Sequence, residues 1–353
     1  MHDRDLFAFS RSMLRVNRAR KRMISRKIKW ILSMVLSFGL GGCAATEVAY
    51  VSVKNYTQGE YYLQNEQYED CIAKFERETE NYPYDANAQF YLGRCYLAVE
   101  KNRAALTRLK RAVTLDQGNP DYHFWKGVAY AANGQSKSER QCYEEALAIK
   151  PDHVQALVYM GHNRFEAGDY RKALGYYDRA LNKDAEIPQA LYNRGLALRE
   201  LGRTPEELNA WKMYLDAYSD GAFARTAADY LNRYGNFEYR NHIIGKRTLT
   251  LARIDFEPSS ARIRKISRPS LDKLAQVAVR NSRLVLHIVA YQKNNRQLAE
   301  MRAKNVKKYL MDQERRLNSD RIKVSWFDEP ETVKIDRKVY RLDSAINFIG
   351  QAK

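Results

Sequence analysis

Five glycines, Gly59, Gly93, Gly127, Gly161 and Gly195, stand thirty-four residues apart without interruption. A fixed period of that length marks a chain built from stacked helical hairpins. With each glycine counted as position 8, position 24 reads Phe75, Leu109, Tyr143, Tyr177 and Trp211, and position 27 holds Ala112, Ala146 and Ala180. Position 11 is Tyr62, Tyr96 and Tyr130. Pro83 and Pro151 fall at position 32, where a residue without an N–H ends a helix. A chance amphipathic helix reproduces an apolar stripe, but it does not keep five glycines in register. A single hairpin cannot bury its own apolar face, so the period predicts an α-solenoid over residues 52–221.

These residues at this spacing resemble the tetratricopeptide repeat. The resemblance implies two antiparallel helices per repeat, A then B, with the small residue admitting close approach of helix A to helix B and the ring at position 24 filling the gap. It also implies an inner, concave face lined by positions 2, 5, 9 and 12 of helix A. Position 5 is Tyr56, Phe90, Phe124, Val158 and Tyr192, a mostly aromatic ladder that predicts a groove for a hydrophobic or extended peptide. Core packing is the rival reading, because repeat packing itself consumes aromatic residues. The lysine and asparagine of the family's carboxylate clamps are absent. Glu139 and Glu207 depart from the small residue expected at position 20, and Glu78 and Tyr214 from the alanine expected at position 27. Residues 222–236 read as an amphipathic helix capping the array.

The first thirty residues carry a charge of about +8, residues 43–245 about −3 and the remainder about +13. Charge thus separates by segment. The basic N-terminal block precedes an apolar run, Trp30 to Leu40, too short for a permanent span and laid out as a secretory signal. Leu40-Gly41-Gly42-Cys43 resembles the bacterial lipobox. That resemblance implies a signal peptide over 1–42, diacylglycerol on Cys43, a lipidated tether over 43–51 and, from Ala44, sorting to the outer membrane facing the periplasm.

Such a compartment is oxidising, and after Cys43 three thiols remain, Cys71, Cys95 and Cys142. An odd number cannot all pair. A Cys71–Cys95 bridge is conceivable between helices that pack together, but buried unpaired cysteine is the ordinary case and the primary expectation. No Cys/His spacing points to metal.

After a linker at 237–246, the period changes. Leu249, Leu251 and Ile254 alternate as a strand that runs to Phe256, residues 270–279 and 296–311 have helical spacing, and residues 283–291, 322–327 and 345–349 read as strands. This is an α+β domain over 247–353. Ile254, Phe256 and Ser259 to Ala261, with Asn295, Leu298, Arg302, Ala303, Val306, Tyr309 and Leu310, resemble the OmpA-like peptidoglycan-associating domain. In that family an aspartate and the arginine of the second helix hold the ammonium and carboxylate of diaminopimelate. Arg302 takes the arginine's place, whereas the aspartate position falls on Gln292 or Lys293. The resemblance therefore implies a weakened peptidoglycan site. Arg262, Arg264, Lys265 and Arg268 form a basic cluster, read either as a solvated face or as a contact for the anionic wall.

No HExxH, GxSxG or phosphate-binding glycine loop occurs, and the histidines are scattered. The sequence predicts no enzyme, no cofactor, no metal and no nucleic-acid partner. It predicts a mainly α lipoprotein, about five repeats, a cap and a small α+β domain, that scaffolds or assembles an envelope machine such as a secretion, pilus or surface-polymer system. The alternative is a cell-wall anchor.

Overall fold

The structure, a computed structural model, describes residues 43–352, with side chains from residue 50 to 351. The basic block, the apolar run and Leu40 to Gly42 lie outside the described residues. The chain divides into two compact units, up to Ala185 and from Glu186.

Among the described residues the first unit has four helical hairpins: α1 (Cys43–Gln64) with α2 (Tyr68–Asn81), α3 (Ala86–Ala98) with α4 (Asn102–Leu115), α5 (Pro120–Ala132) with α6 (Ser136–Ile149), and α7 (Val154–Glu166) with α8 (Tyr170–Leu181). The expected tether at 43–51 is instead the start of α1. Nothing from Cys43 to Gln58 breaks a helix, Ala44, Ala45, Glu47 and Ala49 favour one, and Val51 is buried.

The glycine period has a direct steric cause. A Cβ on Gly127 would lie 2.4 Å from the ring of Tyr143, and one on Gly161 2.4 Å from that of Tyr177. At Gly93 the neighbour is Leu109 at 2.6 Å, and at Gly195 it is Trp211 at 2.7 Å. The position 24 side chain thus fills the space that its own repeat's glycine leaves empty. Gly59 is the exception, because Tyr91 of the next repeat sits there, at 2.1 Å.

A second period of thirty-four appears at position 15, the turn between helices A and B. Glu66, Glu100, Gly134, Gly168 and Gly202 all have positive φ there, between 59° and 73°. Helix A is then capped by Asp85, Asn119 and His153, each accepting from a backbone N–H of the first turn.

Cys71 and Cys95 are joined by a disulfide, with Cα atoms 6.3 Å apart, so the expectation of unpaired thiols fails for this pair. Position 20 of one repeat and position 10 of the next face each other across the hairpin interface. Cys142 is free and buried, and burial pushes its thiol up to about 12.

The second unit begins with the fifth hairpin, α9 (Pro188–Glu200) and α10 (Thr204–Ala217), followed by the cap α11 (Gly221–Arg233). The stretch expected to be a linker at 237–246 is largely a strand, β1 (Tyr239–Ile244), antiparallel to β2 (Arg247–Ala252). Its alternation was short and interrupted by Asn241 and His242, so the sequence read as irregular. The remaining elements are α12 (Arg268–Arg280), β3 (Leu284–Gln292), α13 (Arg296–Gln313), β4 (Ile322–Phe327), a hairpin of β5 (Glu331–Ile335) and β6 (Lys338–Leu342), and β7 (Ser344–Ala352). The five-stranded sheet has the order β2-β1-β7-β3-β4. Pairing is parallel for β3 with β4 and antiparallel for β3 with β7. Leu271, Leu274, Ala303, Val306 and Leu310 of the two helices bury Leu286, Ile288, Ile346 and Phe348 on one sheet face. The expected strand through Ile254 to Phe256 stops at Ala252, and only a bridge from Phe256 to Ile263 follows.

The cap and the sheet are joined by polar contacts. Asn241 donates to the Arg225 carbonyl at 3.0 Å and to Asp229 at 2.8 Å, and Asn232 donates to the Tyr239 carbonyl at 2.7 Å. Tyr239 donates to Asp216 at 2.6 Å, and Lys273 pairs with Asp220 at 2.6 Å. The β5–β6 hairpin is tied to this joint by Arg240, which binds both carboxylate oxygens of Glu331 at 2.7 and 2.8 Å.

Candidate functional site

The position 5 ladder does not form a groove. Phe90, Phe124, Val158 and Tyr192 are exposed by only 4, 1, 0 and 9%, and only Tyr56, at 43%, reaches the surface. Phe124 is enclosed by Tyr143, Tyr159 and His153, with ring centroids 5.2 to 5.7 Å away. Phe90 packs on Tyr122 at 4.7 Å, and Tyr192 packs on Trp211, Tyr214 and Phe223. Position 5 therefore belongs to the core. It points at the large side chains of helix B and the next hairpin, and a side chain without exposed surface offers nothing to a ligand.

The accessible aromatic surface lies one residue further on, at position 6, where Trp125 and Tyr159 are half-buried. Tyr91 at the same position is fully buried in the space at Gly59, so among the position 6 aromatics it is Trp125 and Tyr159 that reach the surface. Beside Trp125, the Arg94 guanidinium lies 4.5 Å from the ring centroid and donates to Glu60 at 2.6 Å. Tyr91 donates to the same carboxylate at 3.1 Å. The Arg94 side chain, itself only 11% exposed, is held between the indole face and the Glu60 carboxylate.

Glu139, the odd residue at position 20, is buried and accepts a hydrogen bond from Asn163 at 3.1 Å. Burial pushes its carboxyl up to about 7, against the opposing effect of that bond. Glu207 at the same position is 1% exposed and accepts from the Trp211 indole N–H at 3.0 Å. Each glutamate is a satisfied core group.

In the α+β domain, α13 carries Arg302 beneath the loop between β2 and α12. Its exposure is 7% and its guanidinium lies 4.6 Å from the Phe256 ring centroid. Nε donates to the Ser260 carbonyl at 3.0 Å, and Nη1 donates to Ser344 Oγ at 2.8 Å and to Gln292 Oε1. Gln292 therefore occupies the place where the resemblance expects an aspartate, and it faces the arginine. Lys293 turns away to Asp343, at 3.5 Å. Every partner of the guanidinium is neutral, and burial lowers its pKa. Asn295 caps α13 through the Leu298 N–H at 2.9 Å and so fixes the first turn leading to Arg302. The arrangement can hold a carboxylate at Arg302, but Gln292 offers no negative charge to an ammonium.

Among the described residues no group of three or more His, Cys, Asp or Glu side chains is placed to hold a metal ion. Among them, too, no helix is long and apolar enough to cross a membrane.

Comparison with known proteins agrees with this architecture. The tetratricopeptide repeat profile matches residues 56–100, 96–154 and 160–222, and that of the OmpA family matches residues 255–339. The cytochrome c-type biogenesis protein CycH of Pseudomonas aeruginosa is 26% identical over 147 residues, 39% of this chain and 36% of that protein. The photosystem I assembly protein Ycf3 of Acaryochloris marina is 32% identical over 102 residues, 28% of this chain and 61% of that protein. The chain thus spans about a third of the first relative and three fifths of the second. The solved structure of Pseudomonas aeruginosa pilF superposes with a TM-score of 0.50 at 13% identity, covering 54% of this chain and 87% of that one, a likeness of fold alone. With the glycine period, the hairpins and the sheet around Arg302 all accounted for, the chain is a tetratricopeptide-repeat protein ending in an OmpA-family domain.

Proposed function

We propose that this protein is a non-catalytic scaffold or assembly factor of a bacterial envelope machine, lipid-anchored to the outer membrane through Cys43 and facing the periplasm. The observation that carries the reading is the joint in the second unit: β1 fixes the capping helix of the repeats to the sheet of the OmpA-family domain. The cap that follows the last repeat is thereby joined, within the second unit, to a fold associated with the cell wall. The names of the two relatives, a biogenesis protein and an assembly protein, support the class of function. The Cys71–Cys95 disulfide supports an oxidising compartment. Partners would meet the polar and aromatic surface around Arg94, Trp125 and Tyr159 rather than the buried position 5 ladder.

The test is crosslinking of the full chain in the intact envelope, followed by mass spectrometry. Specific protein crosslinks that are lost on Arg94→Ala with Trp125→Ala support the scaffold. A chain that fractionates with the cytosol, or that crosslinks to no protein, refutes it.

A second reading, wall anchoring through the OmpA-family domain, draws on one observation: Arg302 is buried among neutral partners, so its charge stays available to a carboxylate of the wall peptide. Sedimentation with purified peptidoglycan decides, since retention abolished by Arg302→Ala favours the anchor and absence of retention favours the scaffold.

A further inference from the structure

A cleft of about 620 Å³ opens in the second unit between α9, α11 and the tip of the β5–β6 hairpin, a size that accommodates side chains of a bound ligand. Its floor is Tyr230, held by stacking on Trp211 at 4.9 Å and 23°. Two guanidinium groups lie over that ring, Arg199 at 4.7 Å and Arg233 at 5.7 Å from the centroid. The hairpin tip adds Arg337 and Lys338 from the other side.

The balance of charge in the cleft is positive. Arg199 donates to the Tyr230 hydroxyl and to Glu200 at 2.8 Å. Arg233, Arg337 and Lys338 are exposed, and their side chains have no acidic partner among the described residues. Of the two carboxylates in the lining, Glu207 is buried and accepts from Trp211 at 3.0 Å and Tyr234 at 3.4 Å, which leaves Asp336 of the hairpin turn. Like charges gathered over one ring repel, and an anion entering between them relieves that repulsion. Arginine forks suit carboxylates, which they bind through two parallel hydrogen bonds. Tyr234 and Ile335 supply apolar wall beside the cations, so the cleft suits a ligand with carboxylates close to apolar groups. Its concavity excludes a flat lipid surface.

We propose that this cleft binds an acidic segment of a partner polypeptide, with Asp or Glu carboxylates seated between Arg233 and the hairpin-tip cations. The proposal rests on the scaffold reading and names a docking point and the chemistry of what docks.

The test uses the full chain and a fluorescein-labelled hexaglutamate peptide, followed by fluorescence polarisation, with hexaglutamine as the neutral control. Hexaglutamate is expected to bind and hexaglutamine not to bind. Affinity should fall at least about tenfold in Arg233→Glu with Arg337→Glu, and it should weaken as salt is raised. The same charge change elsewhere in the unit, Arg280→Glu with Arg283→Glu, should leave binding intact, and unchanged melting temperatures certify the fold of both variants. Equal loss in both variants, no loss in the first, or binding of hexaglutamine overturns the proposal. Displacement of hexaglutamate by lysozyme-released peptidoglycan fragments, but by no acidic peptide, assigns the cleft to the wall and overturns it as well. If envelope crosslinks to protein persist while hexaglutamate fails to bind, the cleft proposal falls and the scaffold stands. If no protein crosslinks form, the scaffold reading itself fails.

Discussion

Replacing Arg240 with alanine should loosen the hold of the β5–β6 hairpin on the sheet. Arg240 binds Glu331 through two hydrogen bonds and donates to Asn347 at 2.8 Å, while Asn347 also donates to Glu331 at 2.7 Å. The Glu331 side chain is only 7% exposed and that of Arg240 19%. The substitution therefore leaves a buried carboxylate with one neutral donor. Breaking a buried pair from one side costs about 3–5 kcal/mol, and the surviving Asn347 bond places this case near the lower end, about 3 kcal/mol. Urea denaturation of the full chain, with hydrogen exchange resolved at the amides of β1, β5, β6 and β7, is the assay. Protection should fall first in β5 and β6, whose packing on the joint depends on this pair. Replacing both partners with apolar residues, Arg240→Met with Glu331→Leu, should recover most of the loss, since no charge is then stranded. A cost below about 1 kcal/mol for Arg240→Ala, the size expected of an exposed pair, would refute the reasoning.

Three further outcomes are expected. Gly161→Ala places a Cβ 2.4 Å from the Tyr177 ring, so it should destabilise the first unit by about 1–3 kcal/mol in urea despite alanine's higher helix propensity; a gain in stability would contradict the steric cause of the period. The Glu139 carboxyl is raised to about 7 in the fold, so its contribution to stability is fully present below the ordinary carboxyl range and is lost as pH rises through about 7. Glu139→Gln should match the parent near pH 4.5 and exceed it by up to about 3 kcal/mol at pH 8, and a constant difference across that range would count against it. Cys71→Ser with Cys95→Ser opens a loop of 24 residues and should cost about 3 kcal/mol, while intact-mass measurement of the untreated chain should show two fewer free thiols than the reduced one.

Much of the fold was legible because it repeats. The spacing of Gly59 to Gly195 located the hairpins, and the large side chains at position 24 proved to be what each glycine makes room for, apart from Gly59, which admits Tyr91. Arg302 was legible as well, since its helix carries a dense local pattern. The groove was harder to read. Positions 5 and 6 are adjacent on helix A, and which of two neighbouring aromatic residues faces solvent depends on how far the next hairpin is rotated, which no single repeat encodes.

Amino-acid order alone determined the repeating unit and the boundary between helical and mixed regions. These follow from local periodicity and residue identity. Only the tertiary structure decided that Phe90, Phe124, Val158 and Tyr192 are core, that residues 239–244 are a strand joining cap to sheet, that Cys71 meets Cys95, and that Arg199 and Arg233 share a tyrosine with the hairpin tip nearby. Each of these unites residues distant in sequence or turns a side chain toward a neighbouring element. The free energy that selects them comes from burial and pairing across elements, which a local pattern does not carry.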